Sequence, residues 1–525
     1  MENKKMLWIV LFIFGACQQP PENENQEAFT SFLDYGEHPV GFKTLFVSDL
    51  SRKNVPYADW GGKLYPKNVE SAGRNLPLHI WYPAEENDQE LLPFHHFARL
   101  NTVETENQFL NQNDSFYKQV FSYQVRELGG GKDFGPEQMD ALLGLKTNAS
   151  LNSTALQQKF PLVIFPNGSS PAFQSILCEL LASHGYIVAG VSLKGQFSHP
   201  IDASVLGLEV AVDDLEFALQ ELLKLPNVDQ NKIALMGNAI ESSFCAALAS
   251  RNEKIEALIS LEGGFLSQFE QDILNETSFY QPQNITIPIM AIYAPHPSIS
   301  PHFIYDLTYS ERYFAHFPGM TEFHLLNFGV FEEYIPNIIG EPKGDTKMGF
   351  KITSDLVLAF LDAKLKSKSE KLDQFYSGGI PKSLEKTVDT LFRLDGFNPP
   401  PNMAVLKNLF VANGMSAIDS IYQSHISEGN AKPFSNTFYN DFKNWLAWKK
   451  DPDYVNRMRL YEMAVESYPE SALNHYRLGY YFEKNNFIEK SQSHYRQAKI
   501  LLEQDNTLSP PLKKDLEMEL TEAFN

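Results

Sequence analysis

Between about residue 40 and residue 366, short apolar runs rich in β-branched and aromatic residues alternate with longer stretches of helical periodicity, and this alternation restricts the fold more than any other feature. Apolar runs without strict alternation suit strands covered on both faces, and parallel neighbours among such strands need crossover segments long enough to hold a helix. The pattern therefore predicts an α/β domain with a mostly parallel sheet between helical layers. Strands are expected at Phe42 to Ser48, Leu76 to Tyr82, Phe160 to Phe165, Tyr186 to Ser192, Lys232 to Met236, Ala257 to Leu261, Ile287 to Tyr293 and Thr321 to Asn327. Residues 85–158 lack strand character and read as a helical insertion, placed to roof or block a pocket. The helical pattern from Phe350 to Lys366 closes the domain, whose expected span is 35–366.

Residues 367–400 become charged and Gly/Pro-containing, running into Pro399, Pro400 and Pro401, and read as a linker. From 401 to 525 the pattern is helical and carries an internal repeat: Tyr461, Ala464 and Pro469 are followed 34 positions later by Tyr495, Ala498 and a helix end near Glu503. Together with Leu478, Gly479 and Phe482, this spacing resembles tetratricopeptide repeats, although Ser491 stands where that family usually has Ala. The resemblance implies a surface for a protein or peptide partner of unknown identity. A module that merely packs on the first domain is the competing reading, because fewer than three clear units are present.

The N-terminus constrains location. Lys4 and Lys5 precede an apolar run from Met6 to Phe14, then Gly15 and Ala16 stand before Cys17. Residues 1–17 resemble a bacterial lipoprotein signal with a lipobox, which implies export, lipidation of Cys17, and a lipid anchor facing the periplasm or the cell surface. The run is too short for a permanent membrane span, so the lipid would be the only membrane contact. Residues 18–34 read as a flexible polar tether. The net charge of -21, from 65 acidic and 44 basic residues, argues against nucleic acid and anionic headgroups as partners. Cys178 and Cys245 sit in apolar helical patterns and read as core residues; no metal-ligand spacing and no cofactor motif is present, and His95 and His96 lack a nearby Cys or carboxylate at such spacing.

Several segments together resemble the platelet-activating-factor acetylhydrolase and dienelactone hydrolase branch of the α/β hydrolases. HPVGFKTLFVSDLSR and LPLHIWYPA resemble its first hairpin, FPLVIFPNGSS its third strand and oxyanion loop, and LLASHGYIVAG the next helix and strand. The resemblance implies a full hydrolase sheet of about eight strands and a small acyl or ester-like ligand, with Asn167, Gly168, Asn238 and Ile240 around an oxyanion pocket.

In that fold the nucleophile sits on a strained strand-to-helix turn written G-x-S-x-G. Here KIALM runs into Gly237, Asn238, Ala239, Ile240 and Glu241, so the serine position holds Ala239 and the second glycine is Glu241. A methyl group cannot attack a carbonyl. The acid is expected at Glu262, in ALISLEGGF. The histidine of an H-x-x-F-x-D pattern falls on Phe328, when Phe331 and Glu333 are matched to the rest. In a serine-protease triad, loss of nucleophile or base alone costs on the order of a million-fold, so ordinary ester hydrolysis is not expected. The fallback for an active enzyme is a displaced set of Ser242, Glu262 and His324. Against it, Ser242 and Ser243 read as capping or solvated residues of a first helical turn, and His324 as a structural residue within a strand. His184 also reads as structural, and His316 as a residue that precedes the last strand.

Overall fold

The computed structural model describes residues 30–52, 73–101, 103–131, 133–167, 170–196, 201–263, 266–277, 279–305, 307–377, 380, 385, 387–448, 454–505, 508 and 510–524. The lipobox Cys17 and most of the expected tether lie outside these residues. The end of that tether is not free: Thr30 is buried against Asn148 (2.6 Å between Oγ1 and Nδ2), and Asp34 pairs with Lys351 at 2.8 Å. Packing of Leu33 into the core fixes this stretch, which composition alone presents as a polar leader.

The sheet has eleven strands among the described residues. They are β1 (Val40–Asp49), β2 (Arg74–Pro83), β3 (Leu91–Pro93), β4 (Lys146–Leu151), β5 (Phe160–Asn167), β6 (Ile187–Ser192), β7 (Val228–Ala239), β8 (Ile255–Gly263), β9 (Ile289–Tyr293), β10 (Arg312–His316) and β11 (Thr390–Leu394). Their order is β11-β10-β9-β8-β7-β5-β6-β2-β1-β4-β3. The block from β10 to β6 is parallel, and every residue of β5 is buried, as expected for a strand covered on both faces.

The observed elements correct four readings. The insertion is not purely helical: β3 and β4 pair with each other, and β4 adds in parallel to β1. Its helices are α1 (His95–Leu100), α2 (Glu106–Leu110), α3 (Asp114–Leu128) and α4 (Pro136–Leu143). The expected linker 367–400 contributes α12 (Glu370–Ser377) and β11, which pairs antiparallel with β10 and stacks Phe392 on Phe314 at 4.6 Å. Thr321 to Asn327 is not a strand. Glu322–Leu325 forms a 3₁₀ turn, because the Thr321 amide donates to His324 Nδ1 (3.0 Å) and this side chain caps the turn. The last parallel strand is β10, so His316 ends that strand instead of preceding it.

Between the strands run α5 (Ser175–Ser183), α6 (Val205–Leu222), α7 (Ile240–Ala249), α8 (Gln268–Glu276), α9 (His302–Tyr305), α10 (Phe328–Phe331) and α11 (Thr346–Lys366). One core joins α5, α10, α11 and the insertion to one face of the sheet, and a second joins α6, α7 and α8 to the other. The insertion is part of the first core: Phe94 lies 5.2 Å from Phe331 and 6.2 Å from Phe121, ring centre to ring centre. Arg74 is buried and ties helix α6 to the loop that follows β6. Its guanidinium donates to Asp214 at 2.7 and 2.6 Å and to the carbonyls of Lys194 and Gly195, so the charge is neutralised where water is excluded.

Beyond β11 the chain is helical, with α13 (Met403–Asn413), α14 (Met415–Ser427), α15 (Asn436–Trp448), α16 (Val455–Ser467), α17 (Ala472–Lys484), α18 (Ile488–Leu501) and α19 (Pro510–Ala523). Gly479 marks the closest crossing of α17 and α18, because a Cβ there would lie 2.7 Å from the Tyr495 ring and 3.2 Å from the Ser491 carbonyl. The aromatic ring fills the place of the absent side chain. Gly479→Trp is therefore expected to destabilise these helices by about 2 kcal/mol through overpacking. Hydrogen exchange should show lost protection in α17 and α18 with β5 and β7 unchanged; equal loss in both would mean that one cooperative core spans the chain.

Candidate functional site

The turn from β7 into α7 is built as a sharp elbow. Gly237 is required there, since a Cβ would lie 2.5 Å from the backbone of Ser242. Ala239 takes φ 47° and ψ −132°, a conformation that L residues rarely adopt. That geometry raises the residue out of the strand and starts the helix at Ile240. Ala239 is half-buried, and Asn238 is buried beside it. The strain is held in place although the side chain at its apex is a methyl group.

The other positions expected to form a triad are distributed as follows. Glu262 is the penultimate residue of β8, and Gly263 after it is paired in register with Ala239. The end of β8 thus lies beside the elbow. Phe328 is not on a loop above the sheet: it begins α10, is fully buried, and packs on Phe173 (4.8 Å), Phe331 (5.4 Å) and Phe323 (5.9 Å). Asn167 ends β5 in a buried position, with its carbonyl accepting from the Leu193 amide at 2.9 Å. Gly168 lies outside the described residues.

The fallback pair is not brought together by a hydrogen bond. Ser242 and Ser243 are buried within α7 and not solvated, and among the described residues their hydroxyls have no hydrogen-bond partner. His324 is buried in its 3₁₀ turn, with Nδ1 at Thr321 and Nε2 3.1 Å from Glu332. Both of its ring nitrogens are occupied by local partners. His184 is structural, its Nε2 lying 2.8 Å from the Asp34 carbonyl. His95 and His96 lie on α1, and burial with the nearby Arg99 cation holds His96 down at about 4. Among the described residues no cluster of three metal-ligating side chains occurs.

Two features were missed from sequence. A cleft of about 430 Å³ opens at the carboxyl ends of β9 and β10, lined by Tyr293, Pro295, His296, Ile299 and His316. His316 Nδ1 lies 2.7 Å from Asp389, and Ile299 reaches the space above Gly263, so the cleft adjoins the strand carrying Glu262. Assigning the buried run RYFAH as the last strand would have placed His316 at the carboxyl edge, where open α/β sheets bind ligands. The second feature joins Thr44, His79 and Ser192 beneath the insertion. Thr44 Oγ1 lies 3.1 Å from His79 Nδ1, and His79 Nε2 lies 3.0 Å from Ser192 Oγ.

Sheet order, two-sided helical cover and the strained elbow together define an α/β domain built on a mostly parallel sheet with a sharp strand-to-helix turn at Ala239. The family profile described as BAAT / acyl-CoA thioester hydrolase C terminal matches residues 210–296, which run from α6 through the elbow to just beyond β9. Among solved structures, a ferulic acid esterase from Streptomyces cinnamoneus is similar at 19% identity and a TM-score of 0.46, over 68% of this chain and 96% of that one. No curated protein matches the chain.

The strain at Ala239 gives a direct test of the elbow. Ala239→Gly should raise stability by about 1 kcal/mol, because the release of backbone strain outweighs the added entropy of the unfolded chain. A urea unfolding midpoint that stays level or falls would show that the turn is relaxed.

Proposed function

We propose that this chain is an exported, lipid-anchored binding or scaffolding protein whose hydrolase-like domain carries no working elbow triad. The observation that carries this reading is Ala239 at φ 47°, ψ −132°: the fold holds the strained turn on which such domains present a nucleophile, and the side chain there has no nucleophilic atom. The burial of Phe328 among aromatic rings supports it, since that position is filled by a packed side chain with no group able to transfer a proton. The domain would bind a small acyl or ester-like group without turning it over at the elbow. The match of residues 210–296 to the acyl-CoA thioester hydrolase profile fits such a ligand class. The C-terminal helices, with their close crossing at Gly479, would act as tetratricopeptide-like repeats that take a peptide or protein partner.

Hydrolysis of p-nitrophenyl acetate and of a short acyl thioester tests the elbow. Whatever rate the wild type shows should be unchanged by Ser242→Ala and by Phe328→Leu; a loss of about a hundredfold in either would place the chemistry at the elbow and end this reading.

Anchoring has its own test. Cys17→Ser should move the protein from the membrane to the soluble fraction, because one short apolar run cannot hold a cleaved protein at a bilayer. Retention of the variant on membranes in high salt would exclude a lipid anchor at Cys17.

A further inference from the structure

The row Thr44, His79 and Ser192 crosses three strands on one face of the sheet. Thr44 and His79 are directly opposed on β1 and β2, and Ser192 is the last residue of β6, in register with Asn167 at the end of β5. The serine is thus at the carboxyl edge, where ligands of open α/β sheets bind. It lies on the side of β5 opposite to the elbow, since β5 pairs with β6 on one side and β7 on the other. His79 is fully buried, whereas Ser192 and Thr44 are half-buried.

The three groups stand in the relation that activates a hydroxyl. A nucleophile within hydrogen-bond reach of an imidazole, with a third group fixing the imidazole's tautomer, is the general arrangement of serine and cysteine catalysis. With the proton on Nδ1 donated to Thr44 Oγ1, His79 Nε2 presents its lone pair to the Ser192 hydroxyl. Burial and the neighbouring His96 hold His79 down at about 3, so the ring rests neutral. The backbone just after Ser192 is held by side-chain hydrogen bonds. Arg74 donates to the Lys194 and Gly195 carbonyls, and Lys194 Nζ is 2.8 Å from Glu104 of the insertion, so the serine's surroundings are fixed from both the sheet and its roof. A purely apolar row would have filled this face without burying an imidazole.

We propose that Ser192 is an acyl-accepting nucleophile, with His79 as its base and Thr44 as a positioning residue, for small activated acyl compounds such as aryl esters or thioesters. This goes beyond the elbow reading and does not depend on it. Ser192 Oγ forms a bond to the carbonyl carbon while its proton passes to His79 Nε2. The bond to the leaving oxygen or sulfur then breaks, and that atom takes the proton from His79. The products are acyl-Ser192 and the free alcohol or thiol. Attack by water on the acyl-serine releases the acid and restores the hydroxyl.

The test uses the full-length protein, a fluorophosphonate probe and peptide mass spectrometry. The expected result is one phosphonyl adduct on Ser192, absent in Ser192→Ala and formed about a hundredfold more slowly in His79→Gln. Thr44→Val should slow it about tenfold, while Thr44→Ser restores the rate, which a role in strand packing alone would not require. Melting curves matched to the wild type separate these effects from misfolding. Absence of any adduct, while a control serine esterase is fully labelled, would overturn the proposal and leave the elbow reading standing. An adduct on Ser242 would overturn both. Labelling of Ser192 at an unchanged rate in a folded His79→Gln variant would also overturn it, because the base would then have no part.

Discussion

The parallel block from β10 to β6 is buried on both faces, and this two-sided burial is the constraint on which the rest of the structure depends. An apolar strand such as β5 gains by leaving water only if helices cover it above and below, so the connecting helices must be shared between the two faces. On one face α6, α7 and α8 meet this need. On the other, α5 and α11 cover the centre and the insertion covers the β1–β2 flank with Phe94, Phe97 and Phe121. The insertion is therefore part of the core, and its link to the sheet edge by Glu104 and Lys194 closes a surface that would otherwise be wet.

The same constraint gathers polar chemistry at the carboxyl ends of the strands, where the covering layers part. The elbow at Ala239, the cleft at His296 and His316, and the row ending at Ser192 all lie along that edge. They differ in what holds them. The elbow depends on backbone strain supported by the Gly237–Ser242 contact, whereas the row at Ser192 depends on side-chain hydrogen bonds between strands. What such an edge can do is set by the residues at each strand end and not by the fold.

How much was legible follows from what each signal contains. β5 and β7 are readable because long apolar runs carry their own burial requirement. The helix that ends at Lys366 is readable from its amphipathic period, and the elbow from its strand-to-helix boundary. The run Thr321 to Asn327 also alternates, yet a capping interaction between Thr321 and His324 turns it into 3₁₀ helix, and hydrophobic periodicity does not register that interaction. β11 is half-exposed along its length and becomes a strand only because β10 offers it an unpaired edge. Ser242 looked solvated at a helix start, but the tight approach of Gly237 buries it.

The sequence by itself determined the α/β class, the succession of the central strands, the helical C-terminal part and the methyl group at the elbow's apex. These are local properties of composition and spacing, and each can be read within a window of a few residues. Only the tertiary structure decided which polar groups meet: His316 with Asp389 across an edge pair, and Thr44 with His79 and Ser192 across three strands. Residues so far apart in the chain leave no mark on local periodicity. Their contact depends on strand order and register, which are fixed by the packing of the whole domain.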